Sequence, residues 1–291
     1  MSTRTLISPA QLARPRGRLA YWTVFAAVVA LFTLVFLGPL YWMASSGVKD
    51  AQEVVSTPPT LVPHSFTPGN YSRAWDVMDL SSLLFNTLYY AFGALAFQLV
   101  LDVAAAYALS RLRPVLGKAI LGMMLATLMI PATVLVVPQY LTVLDVPLVH
   151  RNLLNTPWAI WLPSVTNAFN IFLLKRFFDS IPKEILDAAA MDGASPTRTL
   201  RSVVLPMSRP ILGVVSIFAV VNVWKDFLWP MLTLPDPARQ TLNVGIYSLS
   251  NGVPVNILIA ALTIASLPTL LIFLVFQRNI MSGLTAGGLK G

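Results

Sequence analysis

Six predominantly apolar stretches, most of them about twenty residues long or more, recur along this chain, at positions 19–42, 82–109, 119–144, 157–174, 211–234 and 255–277. Runs of that length cover the hydrocarbon thickness of a bilayer as helices. A 56% apolar fraction with only 11% charge also lies outside the range of an ordinary soluble domain. The pattern predicts an all-α, polytopic membrane protein with six transmembrane helices. The absence of cysteine excludes disulfide staples, thiolate nucleophiles and cysteine metal sites.

Charge sets the expected orientation. A net charge of +8 would suit nucleic acid, but the Lys and Arg residues sit beside the apolar runs, as loop charges do. With the N-terminus inside, only Lys49, Arg73, Arg151, Lys225 and Arg239 of the 20 basic residues fall outside. That bias predicts a multi-pass chain with both termini cytoplasmic, contacting lipid and no nucleic acid. Residues 1–18 form a cytoplasmic tail and 19–42 the first transmembrane helix, too long for the apolar core of a cleaved signal peptide. Residues 43–80 form a periplasmic or extracellular loop. Residues 81–279 form a core of five helices with a cytoplasmic loop at 179–210, and 280–291 a cytoplasmic tail. Pro131 and Pro138 are expected to kink the third helix.

Catalytic patterns are missing. There is no G-x-x-x-x-G-K-[ST], H-E-x-x-H or G-x-S-x-G, so the chain is not expected to be an enzyme. His64 and His150 read as surface histidines without partners. Asp102, the one carboxylate deep in a run, lies about two turns from Arg111 and is expected to pair with a cation there rather than serve a proton relay. Asn222, Trp224, Asp226 and Trp229 mix aromatic and polar groups at the end of the fifth run, and Asn167 and Asn170 lie in the fourth. Two readings stand for these: interfacial anchors and interhelical glue, or the wall of a path whose rings stack on a sugar while its polar groups bond to hydroxyls.

The polar island at 179–210 is more specific. Ser180 and Pro182 supply helix-start chemistry, and Ile185, Ala188 and Ala189 recur at helical spacing beside Glu184 and Asp187. Gly193 supplies a left-handed stop. Ser195 and Pro196 restart a second, basic piece that ends at Pro206. The product is a knob with a small, alanine-rich face. Lipid-surface binding is the rival reading, but it favours larger apolar groups and lysine.

The run Asp187-Ala188-Ala189-Ala190-Met191-Asp192-Gly193-Ala194, followed by Val203-Val204-Leu205-Pro206, resembles the EAA loop of ABC importer permeases, with Asp187 for the usual Glu and Val203 for the usual Ile. Ser110-Arg-Leu-Arg113, the segment from Trp224 to Pro230 and the glycine-rich end are similar to the carbohydrate subgroup, in particular the shorter permease of the maltose-transporter type. The resemblance implies a type I importer permease (MetI-like) fold in a bacterial or archaeal cell membrane. It implies a second, sister permease, two ATPase subunits that bind ATP and Mg, and an extracytoplasmic substrate-binding protein, with no cofactor on this chain. It further implies that Glu184, Ile185 and the run from Asp187 to Ala194, with Leu205 and Pro206, dock on the ATPase. Thr285, Gly287, Gly288 and Lys290 would touch it from the tail. Asn243, Tyr247 and Asn251 would belong to the loop facing the binding protein. The implied substrate is a sugar or oligosaccharide moved by alternating access. Glycerol 3-phosphate is the nearest alternative, and a gradient-driven secondary transporter a more distant one that would call for inverted repeats and buried ion ligands.

Overall fold

Amides in an apolar chain have mainly one another to bond to. Accordingly, residues 15–286, which a computed structural model describes, are helical with no strand among them. The chain divides into two units, one made of the segment up to Ala74 with Val253–Thr263, the other of Trp75–Gly252 and the segment from Ile264 onward.

In the first unit, helix α1 (Pro15–Gly47) is apolar and buries only Ser45, Ser46 and Gly47 at its end. Beyond it Lys49, expected as an outer-loop charge, is wholly buried. Its ammonium donates to the Thr60 carbonyl at 2.5 Å and lies 4.5 Å from the centre of the Trp42 ring. The side-chain amides of Asn70 and Asn256 both donate to the Lys49 carbonyl. Glu53 gathers the adjoining turn, accepting from Thr60 Oγ1, the His64 and Ser65 amides and Ser65 Oγ. The His64 amide and the Ser65 hydroxyl are the chief groups that hold its carboxyl at a pKa of about 2, below the usual 4.5. His64 is therefore not without a partner, although its ring is exposed; His150 likewise lies 3.3 Å from Asp145.

The first long helix of the second unit is α2 (Leu80–Tyr107), which runs on through a π turn at Ala108–Leu112. Then come α3 (Gly117–Thr127), α4 (Ala132–Leu144), α5 (Trp158–Ser164), α6 (Ala168–Ser180), α7 (Lys183–Met191), α8 (Pro196–Met207) and α9 (Arg209–Lys225). Short helices α10 (Leu228–Thr233) and α11 (Leu242–Leu249) follow. Helix α12 (Val255–Ala286) starts in the first unit and ends in the second.

Three of these stretches are long and apolar enough to span a membrane: α1, Leu80–Leu112 and Val255–Gln277. There are up to five if the bent pairs α3–α4, at 103°, and α8–α9, at 83°, each count as one. The third run is thus not a kinked rod but two helices broken at Pro131, whose ψ of 129° is extended. The fourth is split between α5 and α6, and the fifth stops at Lys225 and resumes at Leu228. Helices α2, α6 and α9 share a core that includes Val103, Ala106, Ile171, Leu174, Phe178, Val214 and Val215.

Candidate functional site

The polar segment 179–210 folds by local rules on a rigid base. Helix α7 ends in a Schellman motif. The Ala194 amide donates to Ala189 O, the Gly193 amide donates to Ala190 O, and Gly193 has φ +74°. Asp192 is the C-cap. Ser195 Oγ accepts from the Arg198 amide, and Pro196 opens α8. Ser180 does not start α7. It closes α6, and its hydroxyl donates back to Phe177 O, which leaves Pro182 as a cap without a side-chain bond. The second piece runs one residue past Pro206, through a π turn at Leu200–Val204 that precedes Leu205 and Pro206.

Packing divides the knob differently from the sequence reading. Leu186 is the inward anchor of α7, against the core, together with Leu200 and Leu205 of α8. Ala189 is half-buried, whereas Glu184, Ile185, Asp187, Ala188, Ala190 and Met191 are exposed. Ile185 is 39% and Met191 88% exposed, so α7 turns apolar atoms outward, uncovered by any of the described residues. From below, Tyr107 Oη donates to Pro196 O at 2.9 Å, and Arg111 donates to the carbonyls of Phe178 and Ile181. The anchoring role of Leu186 and the support given by Tyr107 and Arg111 were not expected from the sequence. An inward leucine at the fourth residue of a short amphipathic helix was the available signal.

Asp102 does not pair with Arg111. It is fully buried, and its Oδ1 accepts the Asn167 amide at 3.0 Å. Asn167 in turn caps α6 by accepting the Asn170 amide. The carboxylate holds the break between α5 and α6, because the helix that would otherwise supply an acceptor is interrupted there. Asn170 is buried against this corner.

In the fifth run Asn222 is exposed, whereas Trp224 is buried and its carbonyl accepts from Asn243. Asp226 accepts the Trp229 amide at the start of α10, and the Trp229 indole donates to Ala159 O at 2.9 Å. No hydrogen bond among the described residues joins Asn167 and Asn170 to this second group. The expected outer loop contains a packed helix. The Leu242 amide of α11 donates to Thr87 Oγ1 at 2.8 Å, and a Cβ on Gly245 would lie 2.3 Å from Leu83. Tyr247, edge-on to Phe227 at 5.2 Å, and Asn251 stay exposed. Thr285 falls in the last turns of α12, and Gly287, Gly288 and Lys290 lie outside the described residues.

Known proteins resemble this chain in sequence and in fold. Residues 99–285 match the family described as the binding-protein-dependent transport system inner membrane component. The chain is 34% identical, over 91% of its length and 92% of the relative's, to the sulfoquinovosyl glycerol transport system permease protein SmoH of Agrobacterium fabrum. It is 30% identical, over 90% of its length and 86% of the relative's, to the diacetylchitobiose uptake system permease protein NgcG of Streptomyces coelicolor. In fold it is similar to a chain of a bacterial ABC transporter involved in the import of the acidic polysaccharide alginate, with a TM-score of 0.80 at 22% identity, covering 91% of this chain and 98% of that one.

Proposed function

The chain belongs to the binding-protein-dependent transport system inner membrane components, as a permease subunit of an ABC importer, and on that premise we propose that it carries a sugar or oligosaccharide inward. The solutes for which SmoH and NgcG are named, sulfoquinovosyl glycerol and diacetylchitobiose, support that substrate class. The sn-glycerol-3-phosphate permease UgpE of Rhizobium meliloti, 27% identical, keeps a small phosphorylated polyol as the alternative. The working assembly joins this chain to a sister permease, two ATPase subunits and an extracytoplasmic binding protein. The chain itself crosses the membrane six times with both termini in the cytoplasm, and residues 81–279 form the transporting core.

One observation carries the coupling role: α7 is an exposed helix, stopped at Gly193 and anchored by Leu186 on the core of α2, α6 and α9. A helix seated in this way transmits displacement instead of absorbing it, because a close-packed interior is nearly incompressible. Closure of the ATPase pair would then swing the bundle between inward-facing and outward-facing states. Asn222, Trp224, Asp226 and Trp229 are the proposed path, and Asn243, Tyr247 and Asn251 the proposed contact with the binding protein. The tail residues Thr285, Gly287, Gly288 and Lys290 are the proposed second contact with the ATPase.

The chain has no native cysteine, so Ala188→Cys provides a single attachment point on α7. A bifunctional reagent is expected to link it to the copurifying ATPase subunit. Labelling of that cysteine by an impermeant reagent from outside intact cells, with no such link formed, would reverse the orientation and remove the coupling role.

A further inference from the structure

Beside α7, where the apolar stretch Leu80–Leu112 ends, a cavity of about 620 Å³ opens among Arg111, Arg113, Lys118, Lys175 and Lys183, with Asp179 as its only carboxylate. That volume falls within the range of about 300–1,000 Å³ typical of small-ligand sites. The acid is already committed. One Asp179 oxygen accepts from Ser110 Oγ at 2.6 Å and the other from Lys175 Nζ at 2.6 Å. Arg111 is spent on two backbone carbonyls, and its Nε is buried without an acceptor. Arg113 sits at φ +48°, in the left-handed region, and donates through Nε to Ser110 O. Among the described residues, Lys175 alone of the five basic side chains has an ion pair.

We propose that this cavity binds a phosphate group, supplied by the headgroup of an anionic phospholipid, between the turn at Arg111–Lys118 and the start of α7. Charge alone would suit any phosphate; the surroundings select the lipid. Val115 is fully exposed, and Leu112 and Leu116 are 58% and 66% exposed on the same turn. Three apolar side chains held out beside the cations give an acyl chain a place to lie while the headgroup faces Arg113 and Lys118. The first turn of α3, with Gly117 and Lys118 at the cavity, adds the partial positive charge of a helix N-terminus. Lys183, the first residue of α7, lines the same cavity, so a bound headgroup would steady the base of that helix. The site needs only that this face meet a membrane surface. It does not rest on the identity of the transported solute.

The test uses the full-length chain with its copurifying subunits, stripped of lipid in neutral detergent and then offered phosphatidylglycerol or phosphatidylcholine. Native mass spectrometry counts the lipid retained. The wild type is expected to retain phosphatidylglycerol selectively. Lys118→Gln should lower that retention about fivefold, the effect of one basic side chain at an anionic surface, and Lys118→Arg should restore it. Arg176→Gln, which removes a neighbouring charge that does not line the cavity, should leave retention unchanged. Equal loss in Arg176→Gln would reduce the effect to general attraction and overturn the site. Displacement of the lipid by inorganic phosphate would assign the cavity to the free anion. Loss of the ATPase subunit from Lys118→Gln, with lipid retention intact, would assign it to a protein partner. Either of these last two results also overturns the lipid reading, while leaving the permease function untouched.

Discussion

Helix α7 buries none of its nine residues fully, whereas α11, of eight, buries Leu242, Val244, Gly245 and Ile246. Both were expected as docking elements, one for the ATPase and one for the binding protein. Their shapes have different origins. Helix α7 is stopped by its own C-terminal cap bonds and held to the core chiefly by Leu186. Helix α11 is fitted against α2, with the Thr87 hydroxyl on its first amide and the Leu83 side chain beneath Gly245. A surface defined by local bonds is free to change without unfolding the protein; a surface defined by packing is not. Function and stability should therefore separate at α7 and coincide at α11.

The harshest test of that difference is Gly245→Val. The added Cβ meets Leu83 at 2.3 Å, and overpacking of this kind costs about 1–3 kcal/mol. Thermal unfolding in detergent should fall with it, and an unchanged midpoint would show that α11 is not packed as described. Thr87→Val strands the buried Leu242 amide, at about 1–3 kcal/mol, and should again lower the midpoint. Gly193→Val places a branched side chain at φ +74°, at about 1–2 kcal/mol borne locally. It should leave the core folded while uptake into cells is lost, and normal uptake would break the lever argument.

Glu53 sharpens the contrast from the first unit, where a turn is held by hydrogen bonds to one carboxylate. Its folded pKa of about 2 lies below the usual 4.5. The stabilisation is therefore full above the unfolded value and fades as pH falls through the folded one. In Glu53→Gln, the acid-side decline of the unfolding midpoint between those values should flatten. At the small end, Ala188→Leu on the exposed face should move stability by no more than about 0.5 kcal/mol, yet should reduce recovery of the ATPase in pull-downs. Full recovery would mean that this face is not the contact.

Much of the knob was legible from sequence because its signals are short-range. Gly193 stops α7 through bonds from its own amide and the next to carbonyls three and five residues back, and Ser195 caps an amide three residues on. Ser180 misled because a serine between two helices serves either, and its hydroxyl found the Phe177 carbonyl first. The breaks were harder to read. Apolarity is averaged over a run and does not report where the run bends, so the fourth stretch looked continuous although it breaks at the cap Asn167, whereas in the fifth the charges Lys225 and Asp226 marked the interruption near its outer end.

Sequence alone determined that this chain lives in a membrane, that its basic residues cluster beside the apolar runs, and that a small helix with a glycine stop separates two apolar stretches. Those properties follow from summed transfer free energies and from hydrogen bonds that close within a turn or so. Tertiary structure decided that Asp102 holds a helix break 65 residues away instead of meeting Arg111, that Lys49 is buried with the side-chain amide of Asn256 on its carbonyl, and that an expected loop is a helix packed on α2. Each of these depends on a polar group finding a partner far along the chain, and only the assembled fold brings the two together.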